Sequence, residues 1–196
     1  RRQRQMCIRD SDRGDLAQAT RADPGSIRRC RRGGAPFPET DVMPMRAVLS
    51  SGSNMGDARA HLRAVVDEFA DETVAASSIY ATAPWGKTDQ PDFLNQSLLV
   101  DVDQTPHELL QRCQRLENEA ERVRVERWGP RTLDVDIVWI EGYTSDDPVL
   151  TVPHPRAHLR QFVLEPWLEI DPGAELRGSS IRELLDGLED QGVRRL

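Results

Sequence analysis

Between Arg46 and Ile140 the apolar positions switch between two periods, and each switch marks a new element. Arg46 to Ser50 reads as a strand that ends at the turn signal Gly52, Ser53, Asn54. From Asp57 to about Asp71, Leu62, Val65, Val66 and Phe69 recur at helical spacing, which predicts a helix with one face laid on a sheet. Thr73 to Tyr80 reads as a strand, a loop rich in Pro, Gly and Asp runs from Thr82 to Asp92, and Phe93 to Val102 returns as a strand. The second helix announces itself: Thr105 suits the N-cap, Pro106 the first helical position, and Glu108 completes a capping box. Its buried stripe would be Leu109, Cys113, Leu116 and Ala120, and Leu133 to Ile140 closes the series as a strand.

The order β-α-β-β-α-β predicts an α+β fold of the ferredoxin-like, split βαβ kind, with both helices on one face of an antiparallel sheet. Residues 141–196 add a hairpin candidate, a helix from about Arg160 and another near Ser180 to Leu188. In the latter, Ile181, Leu184, Leu185 and Leu188 are spaced for packing.

Charge divides the chain differently. Residues 1–44 carry 10 arginines against 6 acidic residues, a net of +4, while the rest carries 16 Lys plus Arg against 27 acidic residues, a net of −11. The first segment has few large apolar residues and no sustained period, so a disordered basic tail is expected there and a folded domain over 45–196. The cluster Arg28, Arg29, Arg31, Arg32 also fits a nucleic-acid arm, a reading that the absence of aromatic interleaving disfavours. Cys7, Cys30 and Cys113 are odd in number and lack metal-ligand spacing, so neither a disulfide framework nor a zinc site is indicated. No apolar run approaches the ~20 residues that span a bilayer, and no signal-peptide h-region is seen, so a cytoplasmic protein is expected.

The densest chemistry lies in Arg127, Trp128, Gly129, Pro130, Arg131, Thr132, Leu133, Asp134, Val135, Asp136, Ile137, Val138. Alternation in a strand turns Asp134 and Asp136 to one face and Leu133, Val135 and Ile137 to the other. Two carboxylates so close repel unless a positive charge sits between them, and a hard divalent cation such as magnesium is the usual solution. Arg127 and Arg131 flank the pair, which suits a phosphate-bearing ligand. The same spacing also fits the solvated face of a half-buried strand.

This run resembles the signature of the 6-hydroxymethyl-7,8-dihydropterin pyrophosphokinase family of folate biosynthesis. Gly52 to Asn54, Thr82 with Pro84 to Gly86, Asp89 to Asn95, Arg122 with Arg124, and Thr151 to His154 match in the family's order between residue 46 and about 170. The match starts at Met45 or Arg46, so Met43 or Met45 is the expected native start and much of what precedes it extraneous.

The resemblance implies transfer of diphosphate from ATP to the pterin hydroxymethyl group, with Asp134 and Asp136 binding two magnesium ions and Arg122 and Arg124 serving catalysis. It implies ATP contacts from Gln114, Glu117, Arg122, Trp128, Arg131, Ile137, His154 and Arg160, although Glu117 also reads as a helix-surface charge. The pterin would meet Thr82, Ala83, Trp85, Phe93, Asn95 and Phe162, the two phenylalanines sandwiching the ring and Asn95 offering both donor and acceptor. Arg112 and Arg115 read instead as structural charges paired within their helix with Glu108 and Glu119. Segments 82–92 and 121–131 are expected to be lids. Partners would be the two small-molecule substrates, with the protein a monomer.

The sequence departs from the family pattern at Ala83, where proline is common, at Trp85, at Phe93, where tyrosine is frequent, and at Glu121. The stretch between Arg124 and Arg127 is one residue shorter than in some members. None of these removes a charge or a metal ligand. No Gly-x-x-x-x-Gly-Lys-Ser/Thr loop is present, which disfavours a P-loop kinase. A non-catalytic ferredoxin-like nucleotide- or metal-binding module is the alternative reading.

Overall fold

A computed structural model describes residues 44–83, 91–120 and 132–196. Among them, β1 (Met45–Ser53), β4 (Phe93–Val102) and β5 (Asp134–Ile140) form the centre of an antiparallel sheet, with β1 between the other two. Two short strands, β2 (Thr73–Ala76) and β3 (Tyr80–Thr82), share the other edge of β4, and a C-terminal β10 (Arg194–Arg195) pairs with β3.

The single strand expected from Thr73 to Tyr80 is therefore two. Ala76 lies opposite Leu98 and Tyr80 opposite Asn95, so four steps on one side answer three on the other, the signature of one inserted residue. Ser77 is the cause: its hydroxyl accepts from Ser97 N at 3.0 Å, standing in for a main-chain acceptor and turning the chain out of register.

Helices α1 (Ala58–Glu68) and α2 (Pro106–Glu119) cover one face. Asp57 caps α1 by accepting from Ala60 N, and Thr105 and Glu108 form the expected capping box of α2. Leu62, Val65, Phe69, Leu109, Cys113 and Leu116 are all buried. Burial pushes the Cys113 thiol up to about 12, which makes it an inert core residue. Arg112 does not pair within its helix as expected. Glu108 is committed to the capping box, and Arg112 reaches Glu68 at 2.7 Å and Glu72 at 2.7 Å, its guanidinium 4.1 Å from the centre of the Phe69 ring.

Helix α3 (Gln161–Ile170) packs on the opposite face through Val163, Leu164 and Trp167 against Val48, Leu99 and Val138. Before it come the short hairpin β6 (Ser145–Asp146) with β7 (Thr151–Val152), then a 3-10 turn at Ala157–Leu159. After it, β8 (Glu175–Leu176) and β9 (Ser179–Ser180) form a hairpin that delivers Ser180 as the N-cap of α4 (Ile181–Asp186).

Candidate active site

On β1, Ala47 and Leu49 face α1 and α2, so Val48, Ser50 and Gly52 face the α3 side. Register carries this across the sheet: Gly52 lies between Asn95 and Asp134, and Ser50 between Ser97 and Asp136. Asp134, Asp136, Asn95 and Phe93 therefore share one face, where the apolar packing under α3 gives way to a cavity of about 220 Å³. Its walls include Thr82, Ala83, Phe93, Asn95, Asp134 and Asp136 from the sheet side, and Arg156, Leu159, Arg160 and Phe162 from the entrance to α3.

Small side chains leave room for large ones here. A Cβ at Gly52 would stand 3.1 Å from Asn95 Oδ1, so glycine keeps the Asn95 amide in place beside the carboxylate row. Asn95 is buried, and its Nδ2 donates to Thr82 Oγ1 at 3.0 Å, which fixes the amide on the cavity wall.

Charge converges on Asp136. Arg160 Nη1 stands 3.4 Å from Asp136 Oδ2, and the Arg160 guanidinium lies 5.6 Å from the centre of the Phe162 ring. His154 Nε2 is 3.9 Å from the same oxygen, beyond hydrogen-bond range. Burial, with the nearby Arg160 charge, pulls the His154 imidazole down to about 4, so it is neutral at pH 7. Its Nδ1 accepts from Arg156 N at 3.2 Å, which puts the ring proton on Nε2, facing Asp136.

A bulge sets that geometry. Val48 pairs with Trp139 and Leu49 with Ile137, so Val138 is an extra residue in β5. The Val138 carbonyl accepts from His154 N at 2.8 Å and thereby anchors the histidine beside the acidic half of the strand.

Of the residues expected to act together, Thr82, Ala83, Phe93, Asn95, Asp134, Asp136, Arg160 and Phe162 line this one cavity, with His154 adjoining Asp136. Ile137 is buried on the other face, in the core beneath α1 and α2. Glu117 is a buried carboxylate rather than a surface charge, and its Oε1 accepts from Val135 N at 3.0 Å, tying α2 to β5. Gln114 is exposed on α2. Trp85, Arg122, Arg124, Trp128 and Arg131 lie outside the described residues, as do most of the two segments expected to be lids and the basic tail. Sequence reasoning did not select Ser50, Arg156, Leu159 or Gln191 for the site, all of which line the cavity. Alternation from Leu49 points to Ser50; no local pattern points to Gln191.

A paired-carboxylate row, an arginine and two phenylalanines around one open cavity define an α+β protein with a small-molecule site on one face of its sheet. A model of the family described as 7,8-dihydro-6-hydroxymethylpterin-pyrophosphokinase (HPPK) matches residues 48–172, and the chain belongs to this family. It is an ATP-dependent diphosphotransferase of folate biosynthesis. The 2-amino-4-hydroxy-6-hydroxymethyldihydropteridine pyrophosphokinase of Mycobacterium tuberculosis is 49% identical over 142 residues, covering 67% of this chain and 75% of the relative. That of Methylorubrum extorquens is 42% identical over 155 residues, covering 77% and 98%. Among solved structures, an HPPK-DHPS in complex with substrates has a TM-score of 0.58 at 12% identity, covering 74% of this chain and 43% of that one. The wild-type Plasmodium falciparum HPPK-DHPS has a TM-score of 0.57 at 14% identity, covering 73% and 44%. This chain spans under half the length of those solved chains, and at such identity the likeness speaks to fold alone. Among the described residues, no helix is long and apolar enough to cross a membrane.

Proposed function

We propose that this chain transfers the terminal diphosphate of ATP to the hydroxymethyl oxygen of 6-hydroxymethyl-7,8-dihydropterin, giving AMP and the pterin diphosphate. The observation that carries this is a single cavity in which Asp134 and Asp136 face the same space as Phe93, Phe162 and Asn95. The two phenylalanines hold the flat faces of the ring, and Asn95 meets its polar edge with an amide that donates and accepts. The hydroxymethyl oxygen is thereby held toward the carboxylate row. There it attacks the β-phosphorus in line, releasing its proton to water, as the bond to the α,β-bridging oxygen breaks, and AMP leaves with that oxygen.

The donor set suits magnesium: two carboxylates on one strand face are hard oxygen ligands. Among the described residues no group of three or more His, Cys, Asp or Glu could hold a metal, so phosphate oxygens and waters are the natural source of the remaining ligands. When bound, two such ions would neutralise phosphate charge and favour attack. Arg160 and the neutral His154 contact the phosphates, with Arg122, Arg124 and Arg131 supplying further positive charge and Trp128 and Gln114 the nucleotide's flank. Glu117 acts from behind β5 by fixing the strand that bears the acids, and Ile137, whose side chain packs in the core, reaches ATP only through its main chain. Trp85, Thr82 and Ala83 border the pterin.

The frame we read as ferredoxin-like, which the sheet order β3-β4-β1-β5 and the two helices on one face support. The enzyme is taken to be a cytoplasmic monomer whose residues 1–44 are dispensable. AMP release from ATP and magnesium, with and without the pterin, tests the whole scheme on the full chain and on protein starting at Met45. Pterin-dependent AMP is expected from both; ATP binding with no AMP in a folded protein would sink it.

A further inference from the structure

Helix α3 begins without a cap of its own. Arg160 holds the N-cap position, and no side chain there accepts from the first helical turn. Main-chain N–H groups at a helix start need partners, and here the start also carries Arg160 and Phe162, which line the cavity.

The missing acceptor comes from 30 residues away. Gln191 Oε1 accepts from Gln161 N at 3.1 Å, Gln161 Oε1 accepts from Gln191 N at 2.6 Å, and Gln191 Nε2 donates to Leu159 O at 2.9 Å. This clasp joins both sides of the Arg160 position to the C-terminal segment. The segment is shaped to present Gln191: Asp190 Oδ1 accepts from Gly192 N at 2.8 Å, and Gly192 takes φ +69°, a tight reversal centred on the glutamine. Beyond it the chain is fastened to the sheet edge. Arg195 meets Glu169 at 2.7 Å, Arg194 meets Asp92 at 3.0 Å, and Leu196 N donates to Ile79 O at 2.9 Å. Glu169 in turn accepts from Tyr80 of β3, two residues from Thr82 on the cavity wall.

We propose that Gln191 is a positioning residue of the active site, serving as a remote cap that fixes the first turn of α3 and so sets where Phe162 and Arg160 stand relative to Phe93 and Asp136. The inference rests on the pterin lying between the two phenylalanines. Its reach is selective. Loss of the clasp lets one wall of the cavity drift while β1, β4 and β5, which carry the other wall, stay fixed.

The test compares Gln191→Leu, which removes both side-chain bonds at similar size, with Gln191→Glu, which keeps an acceptor for Gln161 N. Phe162→Ala serves as a control for the pterin's place. Each is assayed for KM toward 6-hydroxymethyl-7,8-dihydropterin, KM toward ATP, kcat and thermal midpoint. For Gln191→Leu the pterin KM should rise about five- to tenfold, the scale of a lost helix cap, with a smaller rise in ATP KM through the displaced Arg160 and kcat moving about twofold or less. Gln191→Glu, which keeps the acceptor for Gln161 N but cannot donate to Leu159 O, should recover part of the loss.

A pterin KM within twofold of the parent in folded Gln191→Leu, while Phe162→Ala raises it strongly, overturns the role of Gln191 alone. If Phe162→Ala also leaves the pterin KM unchanged, the placement of the ring itself is wrong. A comparable rise in both KM values with a fall in kcat and in thermal midpoint, and no recovery in Gln191→Glu, would reduce Gln191 to a structural residue and overturn the proposal as well.

Discussion

The two faces of the sheet are built from the same three strands and do opposite things. Toward α1 and α2, Ala47, Leu49, Leu98, Val100, Val135 and Ile137 meet Val65, Phe69, Leu109, Cys113 and Leu116 in an apolar layer, interrupted at the α2–β5 contact by the buried Glu117 carboxylate. Toward α3, the apolar residues Val48, Leu99 and Val138 fill only one end, and Ser50, Gly52, Asn95, Asp134 and Asp136 take the other. Alternation along a strand lets one backbone carry a closed core and an open site together. Both faces carry buried apolar packing but only one carries the site, so chemistry should be separable by mutation from the packing of the closed face.

The sharpest break in that comparison is at the acids. Asp136→Asn keeps size and position, and its neighbours Arg160 and His154 stand at a partly exposed edge. Turnover should fall by about 1,000-fold or more, on the scale of removing a principal electrostatic contact to developing charge. The urea unfolding midpoint should hardly move. A variant retaining near-parental AMP release would remove Asp136 from the proposed chemistry.

The mirror experiment is on the closed face. Phe69 is fully buried between the α1 end and the Arg112 guanidinium. Phe69→Ala should destabilise the fold by about 3–4 kcal/mol in urea unfolding, the usual range for deleting a core aromatic ring. The folded fraction should keep its kcat and both KM values. A selective loss of turnover with little change in stability would show that the faces are coupled more tightly than their packing suggests.

Much of this division could be read from the chain. Period-3.6 spacing marked the buried residues of α1 and α2, Thr105 and Glu108 marked a helix start, and period-2 spacing put Asp134 and Asp136 on one face. What escaped was whatever depended on an extra residue or on distant chain. The β5 bulge sits in an apolar run where Ile137 and Val138 are both buried on opposite faces, so hydrophobicity gives no sign of the change in phase. The split of β2 from β3 turns on one serine hydroxyl replacing a main-chain acceptor. Arg112 found carboxylates 40 and 44 residues away in preference to those on its own helix, because Glu108 was already bound to Thr105. For the same reason the residues of the cavity floor were legible, whereas Gln191, brought in by the C-terminal reversal, was not.

The finest difference between the faces is electrostatic and concerns His154. Its pKa in the fold is about 4 against 6.5 for an ordinary imidazole, because burial and then the Arg160 charge disfavour the protonated ring. The unfolded chain therefore binds this proton more readily than the folded one. Stability from this group is fully present above about pH 6.5 and is lost as pH falls toward 4; below that both states are protonated and no further loss follows. Asp134 works against the shift, while Arg156 and Arg177 add to it, so the measured slope belongs to the whole cluster. The comparison that isolates the ring is the difference in urea midpoint between the parent and His154→Gln at a series of pH values. That difference should move against the parent between pH 6.5 and pH 4 and stay level above pH 6.5. The effect should be the smallest of the three, since solvent reaches part of the ring. On the closed face the Cys113 thiol, held near 12, is silent across the same interval. Parallel pH profiles for parent and variant would mean that the imidazole is no harder to protonate in the fold than in the open chain, and the open face would lose its claim to a neutral histidine beside Asp136.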